Sequence, residues 1–122
     1  TDFSKRSILV LDDDKIQHLL FRKRVSQISG HVELKSFEKP KEALVFLSAN
    51  KVDVIFLDLH LGSNDGWEFV DELEQISFEG KVYLLSASIL SQDRKRAEEH
   101  PGISGFFEKP ISETDLVQIL LS

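Results

Sequence analysis

The chain contains no cysteine, which excludes a disulfide framework, a thiolate zinc site and a cysteine nucleophile. That absence suits a reducing compartment, and a cytoplasmic location is expected. No apolar run approaches the roughly 20 residues needed to span a bilayer, and no signal-peptide core opens the sequence, so no membrane association is expected. There is no dense Lys/Arg block either: 15 basic against 21 acidic residues leave a net charge of −6 with the histidines neutral. Such acidity disfavours nonspecific binding to DNA or anionic membranes, and no direct nucleic-acid contact is expected. No repeat, low-complexity tract or linker divides the chain. With 122 residues, 41% of them apolar and 30% charged, the chain can fill and solvate one core, so residues 1–122 are expected to form a single domain. Its first residue, Thr1 rather than Met, is what a processed chain or one cut from a longer one would show.

Short apolar runs alternate with longer amphipathic ones. Ile8–Leu11, Val52–Leu57 and Val82–Leu85 are brief, apolar on both faces and rich in β-branched or aromatic residues, the pattern of buried parallel strands. Val32–Phe37 alternates, as a strand with one wetter face would, and Ser104–Phe107 reads as a short fifth strand. Helical periods fill the intervals. Ile16, Leu19, Leu20, Val25 and Ile28 predict the buried face of a first helix capped by Asp14. Pro40 stands at the start of a second, ahead of Ala43, Leu44 and Leu47. Trp67, Phe69, Val70, Leu73 and Ile76 predict a third that runs toward Gly80. A charged fourth helix over 91–99 offers Ala97 to the core, and a fifth starts at Ser112 with Leu116, Ile119 and Leu120 inside. Every Gly and Pro falls at an element end or a connection, which reinforces the alternation. Five strands alternating with five helices imply a three-layer (βα)5 α/β sandwich: a doubly wound, flavodoxin-like parallel five-stranded sheet of order 2-1-3-4-5.

In such a sheet chemistry sits beyond the carboxyl ends of the strands. The first strand runs into Asp12-Asp13-Asp14, the third into Asp58, the fourth into Ser86-Ala87 and the fifth into Lys109-Pro110. Carboxylates about 5 Å apart repel by roughly 3 kcal/mol per pair at an effective dielectric of 20, so the cluster requires protonation or cations. Lys109 is one cation. All-oxygen ligands favour Mg²⁺, or Mn²⁺, over zinc as a second.

This set of residues resembles the receiver domain of two-component response regulators, the chemotaxis-regulator type of fold. Leu57–Phe69, with Gly66 eight residues after Asp58, looks like that family's phosphoacceptor loop. Leu84–Ser88 is similar to its hydroxyl-bearing fourth strand, and Gly105–Pro110 to its fifth, with an aromatic residue three before the lysine. The resemblance extends from about Ser7 to Leu121. It departs at Gly62, where proline is usual, and at Ser86, where threonine is commoner.

The resemblance implies that Asp58 accepts a phosphoryl group from a sensor histidine kinase or phosphotransfer protein. Asp13 and Asp58 would bind Mg²⁺ directly, Asp12 mainly through water, and the His60 backbone carbonyl would complete the protein ligands. Lys109, the Ser86 hydroxyl and the Ala87 amide would hold phosphoryl oxygens. Ser86 and Phe106 would act as the switch, and His60 with Ser88 would tune dephosphorylation. The fourth helix, fifth strand and fifth helix would present the switched surface to a downstream protein of unknown identity, the domain being a monomer or a weak homodimer through that surface. The domain would be a regulatory phosphoacceptor and not an enzyme in its own right.

Singly, these residues have plainer readings. Asp12–Asp14 could be a turn and a cap, Asp58 a turn residue, Lys109 a surface charge; their conjunction at strand ends favours the site. Asp14 reads as a cap, Trp67 as packing, and Gln92–Arg96 as a solvated helix face. Phe106 could fill the core without switching, and His60 could be a solvent-facing bystander. Three aspartates after the first strand would repel an FMN phosphate, which excludes an electron carrier of the flavodoxin type. An aspartyl-phosphate phosphatase would carry a second Asp where His60 stands. A phosphorylation-independent interaction module is the remaining alternative.

Overall fold

The computed structural model describes residues 6–28, 32–61, 64–87 and 91–121. Five strands, β1 (Arg6–Leu11), β2 (Val32–Phe37), β3 (Val54–Asp58), β6 (Lys81–Ser86) and β7 (Gly105–Glu108), form one sheet in the order β2-β1-β3-β6-β7. All four neighbouring pairs are parallel. Ranked among themselves, these strands follow the expected 2-1-3-4-5 order. The additional strands β4 (His60–Leu61) and β5 (Asn64–Asp65) make a two-residue antiparallel ribbon directly after β3, which periodicity did not foretell because neither strand is long enough to carry a period.

The helices are α1 (Lys15–Ser26), α2 (Pro40–Ala49), α3 (Gly66–Gln75), α4 (Ser91–Glu99) and α5 (Glu113–Leu121). They cover the sheet on both faces, which is why all five residues of β3 are buried and its sequence shows no alternation. One core layer joins Leu9, Leu11, Ile55 and Leu57 to Ala43 of α2, Phe69, Val70 and Leu73 of α3, and Ala97 of α4. The other joins Ile8, Val10, Val54 and Phe56 to Phe21 and Val25 of α1 and to Leu116, Ile119 and Leu120 of α5.

Two helices depart from the pattern read in the sequence. In α1 the residues facing the core are His18, Phe21 and Val25, while Ile16 is 65% and Leu19 60% exposed and Leu20 is exposed too. At 3.6 residues per turn the two sets lie on opposite faces, so α1 has two apolar stripes and the sheet takes the one carrying Phe21. In α3 the helix stops at Gln75, well before Gly80, and Ile76 is exposed. Ser77 adopts φ 56°, and the amides of Ser77 and Phe78 bond back to the carbonyls of Glu74 and Leu73. This is a Schellman termination with serine where glycine is usual. Gly80 serves close packing instead: a Cβ there would lie 2.6 Å from the Asp53 carbonyl oxygen.

Candidate functional site: an acidic pocket closed by a lysine

The parallel register sets the site. Leu11 pairs with Leu57, and Asp58 with Leu85, so the residues that follow β1, β3 and β6 emerge together at one end of the sheet. Asp12 is buried and each of its polar groups is engaged. Its amide donates to the Phe37 carbonyl of β2 at 3.0 Å, one carboxylate oxygen accepts the Asp14 amide at 2.9 Å, and the other lies 2.6 Å from Lys109 Nζ. Its carbonyl accepts a bond from the His18 ring at 2.7 Å. Asp13 is exposed. Asp14 caps α1, its carboxylate accepting the Ile16 amide at 2.9 Å, in keeping with its reading as a cap.

Asp58 closes β3 and is buried. One of its oxygens accepts the His60 amide at 3.1 Å; the other lies 3.0 Å from Lys109 Nζ. The lysine therefore bridges the two buried carboxylates. It is carried there at the end of β7, its amide donating to the Ser86 carbonyl at 2.8 Å; the Lys109–Pro110 peptide that follows is cis. Carboxylate oxygens of Asp12, Asp13 and Asp58 all lie within 4.8 Å of one another, a group able to hold a cation.

Burial pushes the Asp58 carboxyl above the ordinary carboxylate value of 3.8, reinforced by the Asp12 charge, although the His60 amide and Lys109 pull the other way. Burial acts on Lys109 in the opposite sense, toward the neutral amine, yet its bonds to Asp12 and Asp58 prevail and hold the ammonium above 10.5. The lysine thus stays charged, while Asp58 carries the strain of a carboxylate that one cation does not fully compensate.

Ser86 is buried at the end of β6, followed by an exposed bend at Ala87. Ser88 and Gly62 lie outside the described residues. Phe106 is half-buried, paired with Leu84, and packs against the α2–α4 layer; Phe107 faces the other layer and lies against Tyr83. Since side chains alternate along a strand, Phe106, Leu84 and Ser86 share one face of the sheet. Both phenylalanines find partners because both faces are covered.

The His60 side chain is exposed, with Nε2 3.9 Å from Asp93 of α4. The same Asp93 accepts a bond from Trp67 Nε1 at 3.3 Å, and the Arg96 guanidinium stands 4.3 Å from the centre of the Trp67 ring. Part of the charged run on α4 is therefore built into the structure rather than simply solvated. Gly66 is required by contact: a Cβ would come within 2.9 Å of the Leu59 Cα and of the Leu59 and Asp58 carbonyl oxygens. The sequence reading missed Asp65, which caps α3 by accepting the Trp67 amide at 2.9 Å. It took His18 as one of four histidines scattered without a metal-ligand spacing. The signals were an Asp before a helical period and a histidine in register with Phe21 and Val25.

Fold and site define an α/β domain whose working end gathers carboxylates under a single lysine. The response regulator receiver domain model matches residues 8–121, and the chain belongs to that family, a regulatory module of two-component signal transduction. It is 24% identical over 111 residues to the cyclic di-GMP phosphodiesterase response regulator RpfG of Xanthomonas campestris pv. campestris, covering 90% of this chain and 29% of that protein. It is 24% identical over 120 residues to the sensor histidine kinase RcsC of Escherichia coli, covering 98% of this chain and 12% of the kinase. A two-component response regulator from Cytophaga hutchinsonii shares the fold with a TM-score of 0.86 at 23% identity, covering 97% of this chain and 96% of that one. The chain thus spans less than a third of either curated relative. Among the described residues no helix is long and apolar enough to cross a membrane.

Proposed function

We propose that the domain accepts a phosphoryl group on Asp58 from a sensor histidine kinase or phosphotransfer protein, in a Mg²⁺-dependent step. The observation that carries this is the bridging of buried Asp12 and Asp58 by Lys109, with the Asp13 carboxylate alongside. The donor set suits a hard cation: three carboxylates and the His60 carbonyl supply only oxygen. Bound there, Mg²⁺ (or Mn²⁺) would neutralise the charge that otherwise keeps a phosphate away from a carboxylate.

An Asp58 oxygen forms the new bond to phosphorus as the bond to the donor's imidazole nitrogen breaks, giving an acyl phosphate. Lys109 transfers its contacts from the carboxylates to a phosphoryl oxygen. The Ser86 hydroxyl and Ala87 amide bond the others, and drawing Ser86 inward opens the face it shares with Phe106. That ring, with no hydroxyl to keep wet, favours the buried position. The α4–β7–α5 surface then carries the signal to a downstream protein. His60, exposed beside Asp58, adjusts the hydrolysis of the acyl phosphate, and the same role is proposed for Ser88 from its place in the sequence two residues after Ser86. The donor reaches Asp58 past the Asp12–Asp14 turn, and Ile16, Leu19 and Leu20 of α1 provide the exposed apolar contact beside it.

Incubation with acetyl phosphate and Mg²⁺ should add the mass of one phosphoryl group, about 80 Da, to the intact chain. Chelation of the metal should abolish the gain, and a chain that gains no mass would contradict the assignment.

A further inference from the structure

His18 is buried on the core-facing stripe of α1. Its Nε2 lies 2.7 Å from the Asp12 carbonyl oxygen, and its Nδ1 is buried with no hydrogen-bond partner among the described residues. A carbonyl can only accept, so Nε2 carries the proton. Nδ1 is then left as a buried acceptor without a partner among the described residues.

An apolar residue would suit this position better for packing alone, since its stripe neighbours are Phe21 and Val25. A buried histidine that leaves one nitrogen unsatisfied calls for an explanation in what the other nitrogen does. That nitrogen grips the peptide between Asp12 and Asp13. The amide of Asp12 is already fixed to β2 and its carboxylate to Asp14 and Lys109; the carbonyl is the last free direction. Fixing it sets the plane from which Asp13, exposed and making no side-chain bond of its own among the described residues, leaves the strand.

We propose that His18 is a positioning residue of the phosphoacceptor site, holding the Asp12–Asp13 peptide so that the Asp13 carboxylate is presented to the metal. The proposal rests on the receiver reading above. It predicts a division between stability and metal affinity that a purely structural histidine would not produce.

The test is Mg²⁺ titration by calorimetry of the whole chain, with thermal unfolding alongside, for wild type, His18→Leu, His18→Gln and His18→Asn. Gln places an amide N–H at about the reach of Nε2, whereas Asn reaches only as far as Nδ1. His18→Leu exchanges an unpaired Nδ1 for an unpaired Asp12 carbonyl, so it should unfold within a few degrees of wild type yet bind Mg²⁺ about tenfold more weakly. His18→Gln should bind within about threefold of wild type, and His18→Asn should behave like His18→Leu. Wild-type affinity in His18→Leu, or no recovery in His18→Gln, overturns the proposal. Absence of Mg²⁺ binding in wild type overturns the underlying receiver chemistry as well, which separates the two failures. Nitrogen NMR of the metal-free wild-type ring gives a readout independent of any variant's folding. It should show Nε2 protonated and Nδ1 bare, and the opposite tautomer overturns the proposal.

Discussion

Lys109 Nζ lies 3.0 Å from the Asp58 carboxylate while also bridging to Asp12, so the residue proposed to hold the incoming phosphate first holds the acceptor. Removing it leaves two buried carboxylates with no cation between them, a change that costs about 3–5 kcal/mol for buried pairs. Lys109→Ala should therefore unfold at a markedly lower temperature than wild type in metal-free buffer. Mg²⁺ should restore more stability to the variant than it adds to wild type, because it supplies the missing charge. Equal Mg²⁺-induced shifts in melting temperature would show that lysine and metal do not compensate the same carboxylates.

Asp58 yields a pH dependence of defined sign. Its carboxyl titrates above 3.8 in the folded chain, chiefly through burial, so the folded state binds that proton more tightly than the unfolded state. Stability contributed by the protonated form is then lost as pH rises from 3.8 through the raised value. Asp58→Asn removes this loss. The melting temperature of the variant relative to wild type should grow more favourable from acid toward neutral pH in the absence of metal. A difference that stays flat or shrinks over that window would contradict the uncompensated charge.

On α1, the double change Ile16→Lys and Leu19→Lys alters residues that are 65% and 60% exposed. Stability should move by no more than about 0.5 kcal/mol per site. Phosphoryl transfer from a histidine kinase should slow by about tenfold or more as its docking contact is lost, whereas phosphorylation by acetyl phosphate should be unchanged. Parallel rate measurements with the two donors decide this; equal slowing would mean that the substitutions disturb the pocket itself.

Gly66→Ala should destabilise the chain by about 1–3 kcal/mol, since the added carbon meets backbone atoms of Asp58 and Leu59 that cannot step aside. Because the displaced atoms belong to the acceptor segment, the acetyl phosphate rate should fall as well. Denaturant unfolding and mass-detected phosphorylation give the two readouts.

The strand-end aspartates and Lys109 were legible in the sequence because a parallel sheet brings its carboxyl ends together whatever the loops do. The parallel sheet followed from the same alternation, its order from the doubly wound fold type, and the half-covered edge strand β2 from its period of two. The core face of α1 was not legible from hydrophobicity alone. Two apolar stripes compete there, and only the neighbours of Phe21 decide between them. The end of α3 was misplaced because Ser77 adopts a backbone region in which glycine is the usual signal. His18 reads in the sequence only as one of four scattered histidines, since a bond to a backbone carbonyl is something no residue pattern encodes.

The central claim is that Asp58 itself carries the phosphoryl group. Phosphorylated wild-type chain, treated with borohydride to reduce the acyl phosphate and then digested, can be mapped by tandem mass spectrometry. Reduction to homoserine should appear at position 58 alone, should require Mg²⁺ during phosphorylation, and should be absent from Asp58→Asn. Reduction at Asp12 or Asp13, or a phosphorylated chain with no reduced residue, would contradict the account.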